Sequence, residues 1–335
     1  LKAGGNAVDA AIATAACLTV VEPTSNGIGS DAFALLFVDG QLHGLNASGP
    51  APQRISIQEL EKNGYNDIPD YGWVPVTVPG APGGWAALSS RFGKLPLAKV
   101  LQPAVEYAEQ GYPVSPIAGS YWEREFNTFQ KKLKGEEFSY WFQTFAQQGR
   151  APRIGETWRS QDMAATLRSI AETRSESFYR GDLADKIDRF SRKYGGYLRK
   201  DDLEKFKPEW VEPIKVNYKG YDIWELPPNG QGIVVLMALN ILKEFEFKEK
   251  EVVDTYHRQI EAMKIALGDG QVQITDPKFM KTSVEELLSD NYAEEKRKKI
   301  TKEAVLPTMN KIDRGGTVYL STADEDGNMV SYVQS

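Results

Sequence analysis

A threonine directly after two glycines, in Arg314-Gly315-Gly316-Thr317-Val318-Tyr319-Leu320-Ser321, heads a segment with strand-like patterning. Cutting the chain between Gly316 and Thr317 would put a free α-amine and a side-chain hydroxyl on one residue. That is the smallest nucleophile–base pair a protein can build: the amine takes the proton and the hydroxyl attacks. Glycine on the acyl side suits such a cut, because it tolerates a strained backbone that a side chain would hinder. Taken alone, Thr317 reads more simply as a β-branched residue opening a strand.

Other reactive side chains are scarce. Cys17 is the only cysteine, in the small-residue run Ala11-Ile12-Ala13-Thr14-Ala15-Ala16-Cys17-Leu18, and reads as a core residue. His43 and His257 lie far apart and form no zinc-type spacing, so no zinc site is expected; a carboxylate-bound Mg or Ca site stays open, with no metal ligand and no cofactor assigned. His257 falls on an amphipathic pattern and reads as a packing or capping residue. Asp324 and Asp326 read as ordinary hairpin-turn residues.

The elements that must position Thr317 follow from the patterning. Asp324-Glu325-Asp326-Gly327-Asn328 is a hairpin signal, and Met329-Val330-Ser331-Tyr332-Val333 is the strand it feeds. Near the other end, a buried helix over residues 6–18 leads through Asn26-Gly27-Ile28-Gly29-Ser30 to the apolar run Ala32–Val38. Asp39-Gly40 turns that run into Gln41–Asn46. A second hairpin is expected over 211–218 and 221–226, around Lys219-Gly220. Helices are expected over 185–194, 233–242, 254–267 and 284–299, and helical patterning runs from Pro79 to Thr173. The aromatic stretch from Phe126 to Phe145 reads as core or cleft cover. Strands at both ends with helices between make a mixed α/β chain.

The chain has 335 residues, 41% of them hydrophobic and 26% charged, which is ordinary for a globular protein with a large core. Its 40 basic and 46 acidic side chains leave a net charge of −6, which argues against nucleic acid. The lysine-rich stretch around Lys296–Lys302 mixes signs at helical spacing and reads as a solvated face. No apolar run reaches the ~20 residues needed to cross a bilayer, so no membrane partner is expected. The chain opens inside a helix pattern without methionine and stops within a strand pattern, so it reads as part of a longer product. The expected location is cytoplasmic rather than secreted.

In this order the segments resemble the γ-glutamyltranspeptidase family of N-terminal-nucleophile hydrolases, from Leu1 to Ser335. The similar stretches include Leu1–Ala11, Val78-Pro79-Gly80, Gly93-Lys94-Leu95-Pro96, Ala104–Ser115, Gly195-Gly196-Tyr197-Leu198, the Pro227-Pro228 turn and Tyr256–Lys264. The resemblance implies an α/β fold, a four-layer αββα sandwich with a helical lobe. It implies one precursor that cuts itself at Gly316–Thr317. Residues 1–316 would be the large-subunit portion and residues 317–335 the start of the small subunit, in one structural domain. The product would be a dimer of processed heterodimers acting on a small-molecule amide. Thr317 matches the family's nucleophile. Ser335 falls where relatives place a threonine that supports it, and serine offers the same hydrogen bond. Family members that handle γ-glutamyl groups clamp the substrate carboxylate with an arginine. Asn46 and Ser48 stand in that region here, with Ser48 near the arginine's place, and a serine hydroxyl makes no bidentate carboxylate contact. Both also suit a turn that satisfies its own backbone. The turns around Asp31 and Pro227, with Gln334-Ser335, look more like the amidohydrolase and acylase-like branch. The family's oxyanion-hole glycines would lie beyond Ser335. The competing class is an unprocessed member that only binds.

Overall fold

The apolar run after the glycine turn forms strand β1 (Ala32–Val38), and Asp39-Gly40 reverses it into β2 (Gln41–Ala47). Both turn residues take positive φ, 50° and 75°, as a two-residue hairpin turn of this twist requires. The computed structural model describes residues 1–306 and 316–335; Arg314 and Gly315, read as part of the approach to Thr317, lie outside the described residues. The remaining strands are β3 (Tyr112–Pro113), β4 (Thr157–Trp158), β5 (Glu209–Val211), β6 (Ile214–Tyr218), β7 (Tyr221–Glu225), β8 (Val318–Ala323) and β9 (Met329–Gln334). The main sheet runs β5-β2-β1-β9-β8, while β3 pairs with β4 and β6 with β7.

The chain forms two compact units. The first holds Leu1–Gln41, Leu45–Glu209 and the two C-terminal strands. Helices Ala7–Val21 and Ala81–Phe92 cover one face of its sheet, the former against β8 and β9 and the latter against β1. Leu97–Gln110 packs on Ala7–Val21, and Gln161–Thr173 packs on Leu97–Gln110. Small residues set the first layer's distance. A Cβ on Gly84 would stand 3.2 Å from the Ala47 Cβ, and Ala32, Ala34 and Ala47 are almost fully buried. Alternation then divides the sheet: Leu36, Leu320, Val330 and Tyr332 face the helices, while Phe37, Tyr319 and Met329 sit on the other face, 39%, 64% and 50% exposed. The aromatic stretch packs largely on itself. Phe129 meets Trp141 at 4.8 Å and Trp122 meets Trp158 at 5.3 Å between ring centroids, and Trp122 donates its indole N–H to the Phe145 carbonyl.

The second unit holds Leu42–Gly44 and the residues from Trp210. Its helix Gly232–Leu242 buries Ile233, Val234 and Met237 against Ala266 and Leu287. Two expectations need correction here. Val211 is not in the β6–β7 hairpin but ends β5, because Pro213 has no N–H to carry a ladder onward. The helix expected over 284–299 is two, Val284–Leu287 and Asp290–Arg297. Ser289 starts the second by accepting the Tyr292 N–H, an N-cap that ends one helix and opens another. The mixed charges beyond it pair one turn apart, Lys298 with Glu294 and Lys299 with Glu295, as a solvated face does. His257 meets the Thr301 carbonyl at 2.7 Å.

Asp324 does more than shape its turn. Its Oδ1 accepts the N–H groups of Asp326 and Asn328, and its Oδ2 accepts the Asn328 amide and, at 2.9 Å, the Ala7 N–H that opens the first helix. Burial pushes this carboxyl up, but those hydrogen bonds outweigh it and hold it below its ordinary value. A depressed folded value means stability that is present above the unfolded pKa of about 3.9 and lost as pH falls through the folded one. Asp324→Ala is therefore expected to cost about 1–2 kcal/mol at neutral pH, the scale of a helix-cap loss. Urea midpoints should show the gap closing in acid; an equal gap at all pH would count against the charge.

Candidate active site

Four neighbouring strands bring the candidate residues to one end of the main sheet. The register pairs Val318 with Gln334, and one step further sets Thr317 opposite Ser335. Ala32 pairs with Gln334 in the same ladder, which sets Asp31 on the other flank of Ser335. β2, returning from its hairpin with β1, leaves the sheet at this end with Asn46 and then Ser48. Thr317, Ser335 and Asp31 thus form one row across β8, β9 and β1, and alternation turns that row to the face opposite helices Ala7–Val21 and Ala81–Phe92.

Direct contacts fix part of this row. The Asp31 N–H donates to the Ser335 carbonyl at 3.1 Å. In return, the Ser335 N–H and Oγ–H both donate to Asp31 Oδ1, at 3.2 and 3.1 Å. Burial raises the Asp31 carboxyl above its ordinary value, and the two Ser335 hydrogen bonds pull against that rise. On β2, the Ser48 N–H donates to Asn46 Oδ1 at 3.0 Å, the local turn that asparagine chemistry favours. The next residues are locked by backbone-to-backbone packing. A Cβ on Gly49 would lie 1.8 Å from the Val78 carbonyl oxygen, and one on Gly80 1.7 Å from that of Ala47. Tyr179 clamps the same turn, donating to Pro79 O and accepting from the Gly83 N–H.

Gly316 rests against the turn Thr24-Ser25. A Cβ there would stand 2.8 Å from Ser25 Cα and 2.9 Å from the Thr24 carbonyl oxygen. Glu22 holds this turn, accepting from the hydroxyls of Thr24 and Ser25. Asn26 then caps the first helix, donating to the carbonyls of Leu18 and Glu22. A buried chain of hydrogen bonds ties Asn26 to the sheet. Gln334 donates to Asn26 Oδ1 at 2.8 Å, and its Oε1 accepts from Trp85 Nε1 at 3.1 Å and from the Tyr332 hydroxyl at 3.0 Å. Ser30 completes the loop, with its carbonyl accepting the N–H groups of Gly80 and Ala81.

Sequence marks Asp31 and Gln334 only through their resemblance to the amidohydrolase and acylase-like branch and Asn26 only as part of a turn; it gives none of them, nor Trp85, a role at the site. One signal was available: Gln334 is polar at a helix-facing strand position, in phase with Val330 and Tyr332. Cys17 is half-buried rather than fully buried, and lines a cavity of about 680 Å³ with Leu18, Tyr107 and Tyr112. Burial pushes its thiol up to about 11, which keeps it protonated at neutral pH and unsuited to nucleophilic attack. Among the described residues, no three His, Cys, Asp or Glu side chains stand close enough to share a metal ion, and no helix is long and apolar enough to cross a membrane.

A helix-backed sheet that presents Thr317 at the head of β8 has the fold of the N-terminal-nucleophile hydrolases. The Gamma-glutamyltranspeptidase family profile matches residues 1–335, and the chain belongs to that family. It is 35% identical over 340 residues to the glutathione hydrolase-like YwrD proenzyme of Bacillus subtilis, covering 100% of this chain and 63% of that protein. It is 30% identical over 344 residues to the oxamate amidohydrolase proenzyme of Klebsiella pneumoniae, again covering 100% and 63%. The crystal structure of cephalosporin acylase from Bacillus halodurans matches with a TM-score of 0.96 and 58% identity, covering 100% of this chain and 62% of that one. The chain thus spans just under two thirds of the length of these relatives.

Proposed function

We propose that this chain is the larger part of a self-processing amidohydrolase or acyltransferase in which Thr317 becomes the N-terminal nucleophile. The observation that carries the reading is the row at the sheet end: Thr317 faces Ser335 across β8 and β9, with Gly316 wedged against Thr24-Ser25. In the uncut chain, the Thr317 hydroxyl attacks the Gly316 carbonyl, and hydrolysis of the resulting ester frees the amine. In the processed protein, that amine takes the hydroxyl proton as Thr317 attacks a substrate amide; water or an acceptor amine then resolves the acyl-enzyme. A free α-amine has a reference pKa of about 7.7–8.0, so part of the population is a competent base near neutral pH. Ser335 supports Thr317 by hydrogen bonding. The relatives' names, proenzymes of a glutathione hydrolase-like protein and of an oxamate amidohydrolase, and a cephalosporin acylase, support processing and amide chemistry over a purely binding role.

The remainder of the precursor is the expected small-subunit partner. Its seat is the sheet face that exposes Phe37, Tyr319 and Met329, where an αββα sandwich places its second sheet. Assembly as a dimer of processed heterodimers and a cytoplasmic location belong to the same reading.

On the acyl group, the position near which the family's γ-glutamyl clamp stands is Ser48, whose N–H bonds Asn46. A charge-assisted carboxylate contact is worth roughly 1.5–3 kcal/mol, or about ten- to a hundredfold in affinity. Processed full-length protein should hydrolyse γ-glutamyl-p-nitroanilide with a kcat/KM lower by about that factor than simple acyl anilides. Comparable rates would overturn the specificity reading while leaving Thr317 in place.

A further inference from the structure

Before the cut, Thr317 has no free amine, because its nitrogen is the amide that must break. The base that serves the processed protein therefore does not exist when the precursor cuts itself. The sheet row offers another. Thr317 faces Ser335, neighbouring strand positions lie about 4.5–5.5 Å apart between Cβ atoms, and the Ser335 hydroxyl already points its proton at Asp31 Oδ1 at 3.1 Å. With that proton committed, the lone pairs of Ser335 Oγ remain to accept from Thr317. We infer that Asp31, acting through the Ser335 hydroxyl, accepts the proton that launches self-cleavage before Thr317. This rests on the reading of Thr317 as the future N-terminus.

The step balances within the row. The Thr317 Oγ proton passes to Ser335 as Ser335 passes its own to Asp31, and Thr317 Oγ bonds to the Gly316 carbonyl carbon. When the C–N bond breaks, the proton held by Asp31 returns through Ser335 to the Thr317 nitrogen. The product is an ester with a free amine, and water hydrolyses the ester to a Gly316 carboxylate and the Thr317 hydroxyl. Asp31 touches Ser335 rather than the reacting atoms, so it is a positioning and relay residue.

Its surroundings suit the task. The second N–H···O bond from Ser335 keeps Oδ1 aimed along the row, and partial burial lifts the carboxyl towards the range where it exchanges protons readily. Few ionisable groups crowd it. β1 carries none, β2 carries only His43 near its opposite end, and helix Ala81–Phe92 carries only Arg91 in its last turn. β9 contributes Tyr332, whose phenol is held up by burial first and further by the Asp31 charge. Tyr319 lies on β8, beyond β9. Glu22 is the competing carboxylate, but it is engaged with Thr24 and Ser25 on the turn behind Gly316.

The test follows cell-free synthesis of the full-length precursor by intact mass over time, from acid to neutral pH. Wild type should cleave before Thr317, more slowly as pH falls, with the acid limb above the ordinary aspartate value of about 3.9. Asp31→Asn should slow cleavage roughly 100-fold, the scale of a lost general base, and abolish the limb. Asp31→Glu should restore both in part; Ser335→Ala should reproduce the loss and Ser335→Thr relieve it. Thermal unfolding reports whether each variant is folded, and the Ser335 pair carries the test if Asp31→Asn is not. Glu22→Gln should keep the limb. A wild type that never cleaves overturns both this inference and the reading of Thr317. A cleaving wild type matched within about twofold by Asp31→Asn, or a limb that disappears in Glu22→Gln instead, overturns the Asp31 relay alone.

Discussion

Full-length precursor carrying Thr317→Ala is expected to stay a single chain and to lose amide hydrolysis by on the order of 10⁶-fold, the scale seen when a hydrolase nucleophile is removed. Both losses come from one oxygen atom. Position 317 is exposed at the head of β8, so alanine there removes the hydroxyl without opening a cavity, and stability should change little. Thr317→Ser keeps a hydroxyl and, after cleavage, an amine, and should cut and turn over at reduced rates. The two roles separate if the halves are produced as independent chains, the second beginning at residue 317. With threonine first, activity should appear without self-cleavage. With alanine first, the amine is present and activity is still absent. Intact-mass analysis and anilide turnover on the same samples decide it. A Thr317→Ala precursor that still yields a chain starting at residue 317 would transfer the cut to an outside protease, and residual turnover near wild type would remove Thr317 from the chemistry.

What could be read from sequence was what is local in the chain. The Asp39-Gly40 hairpin, the strand before the Asp324 turn and the helix expected over 185–194 each depend on residues within a few positions, and each is present. The Asn46–Ser48 turn is local too, and its hydrogen bond is there. The turn around Asp31 is legible, but its contact with Ser335 is not, for the opposite reason. Asp31 stands beside Ser335 only because β1 and β9, some three hundred residues apart, are neighbours in the sheet. The reach of Asp324 to Ala7 and of Gln334 to Asn26 is of the same kind. The two helices read as one over 284–299 show the converse failure: apolar periodicity carried through Ser289, whose capping bond to Tyr292 is what divides them.

Trp85→Ala is expected to cost about 3–5 kcal/mol and to slow self-cleavage, although its ring stands behind the sheet, away from the row that carries Thr317. The stability term follows from burial: the indole is fully enclosed between helix Ala81–Phe92 and the sheet. The cleavage term follows from what the indole N–H holds. It donates to Gln334 Oε1 and to the Tyr332 hydroxyl, and Gln334 in turn donates to Asn26, which caps the first helix at Leu18 and Glu22. The turn between Glu22 and Asn26 is the surface against which Gly316 rests. Losing the indole therefore loosens the backing of the scissile bond, and a misplacement of about 1 Å can cost a reaction on the order of 100-fold. Trp85→Phe separates the two terms. It keeps most of the apolar contact and leaves Gln334 Oε1 paired with Tyr332, so the added cost should be about 1 kcal/mol. Urea midpoints and cleavage half-times, measured on the same full-length precursors, should fall in the order wild type, Trp85→Phe, Trp85→Ala for stability and rise in that order for cleavage time. A Trp85→Ala precursor that is destabilised but cuts at the wild-type rate would show that the buried network supports the core and not the geometry at Gly316.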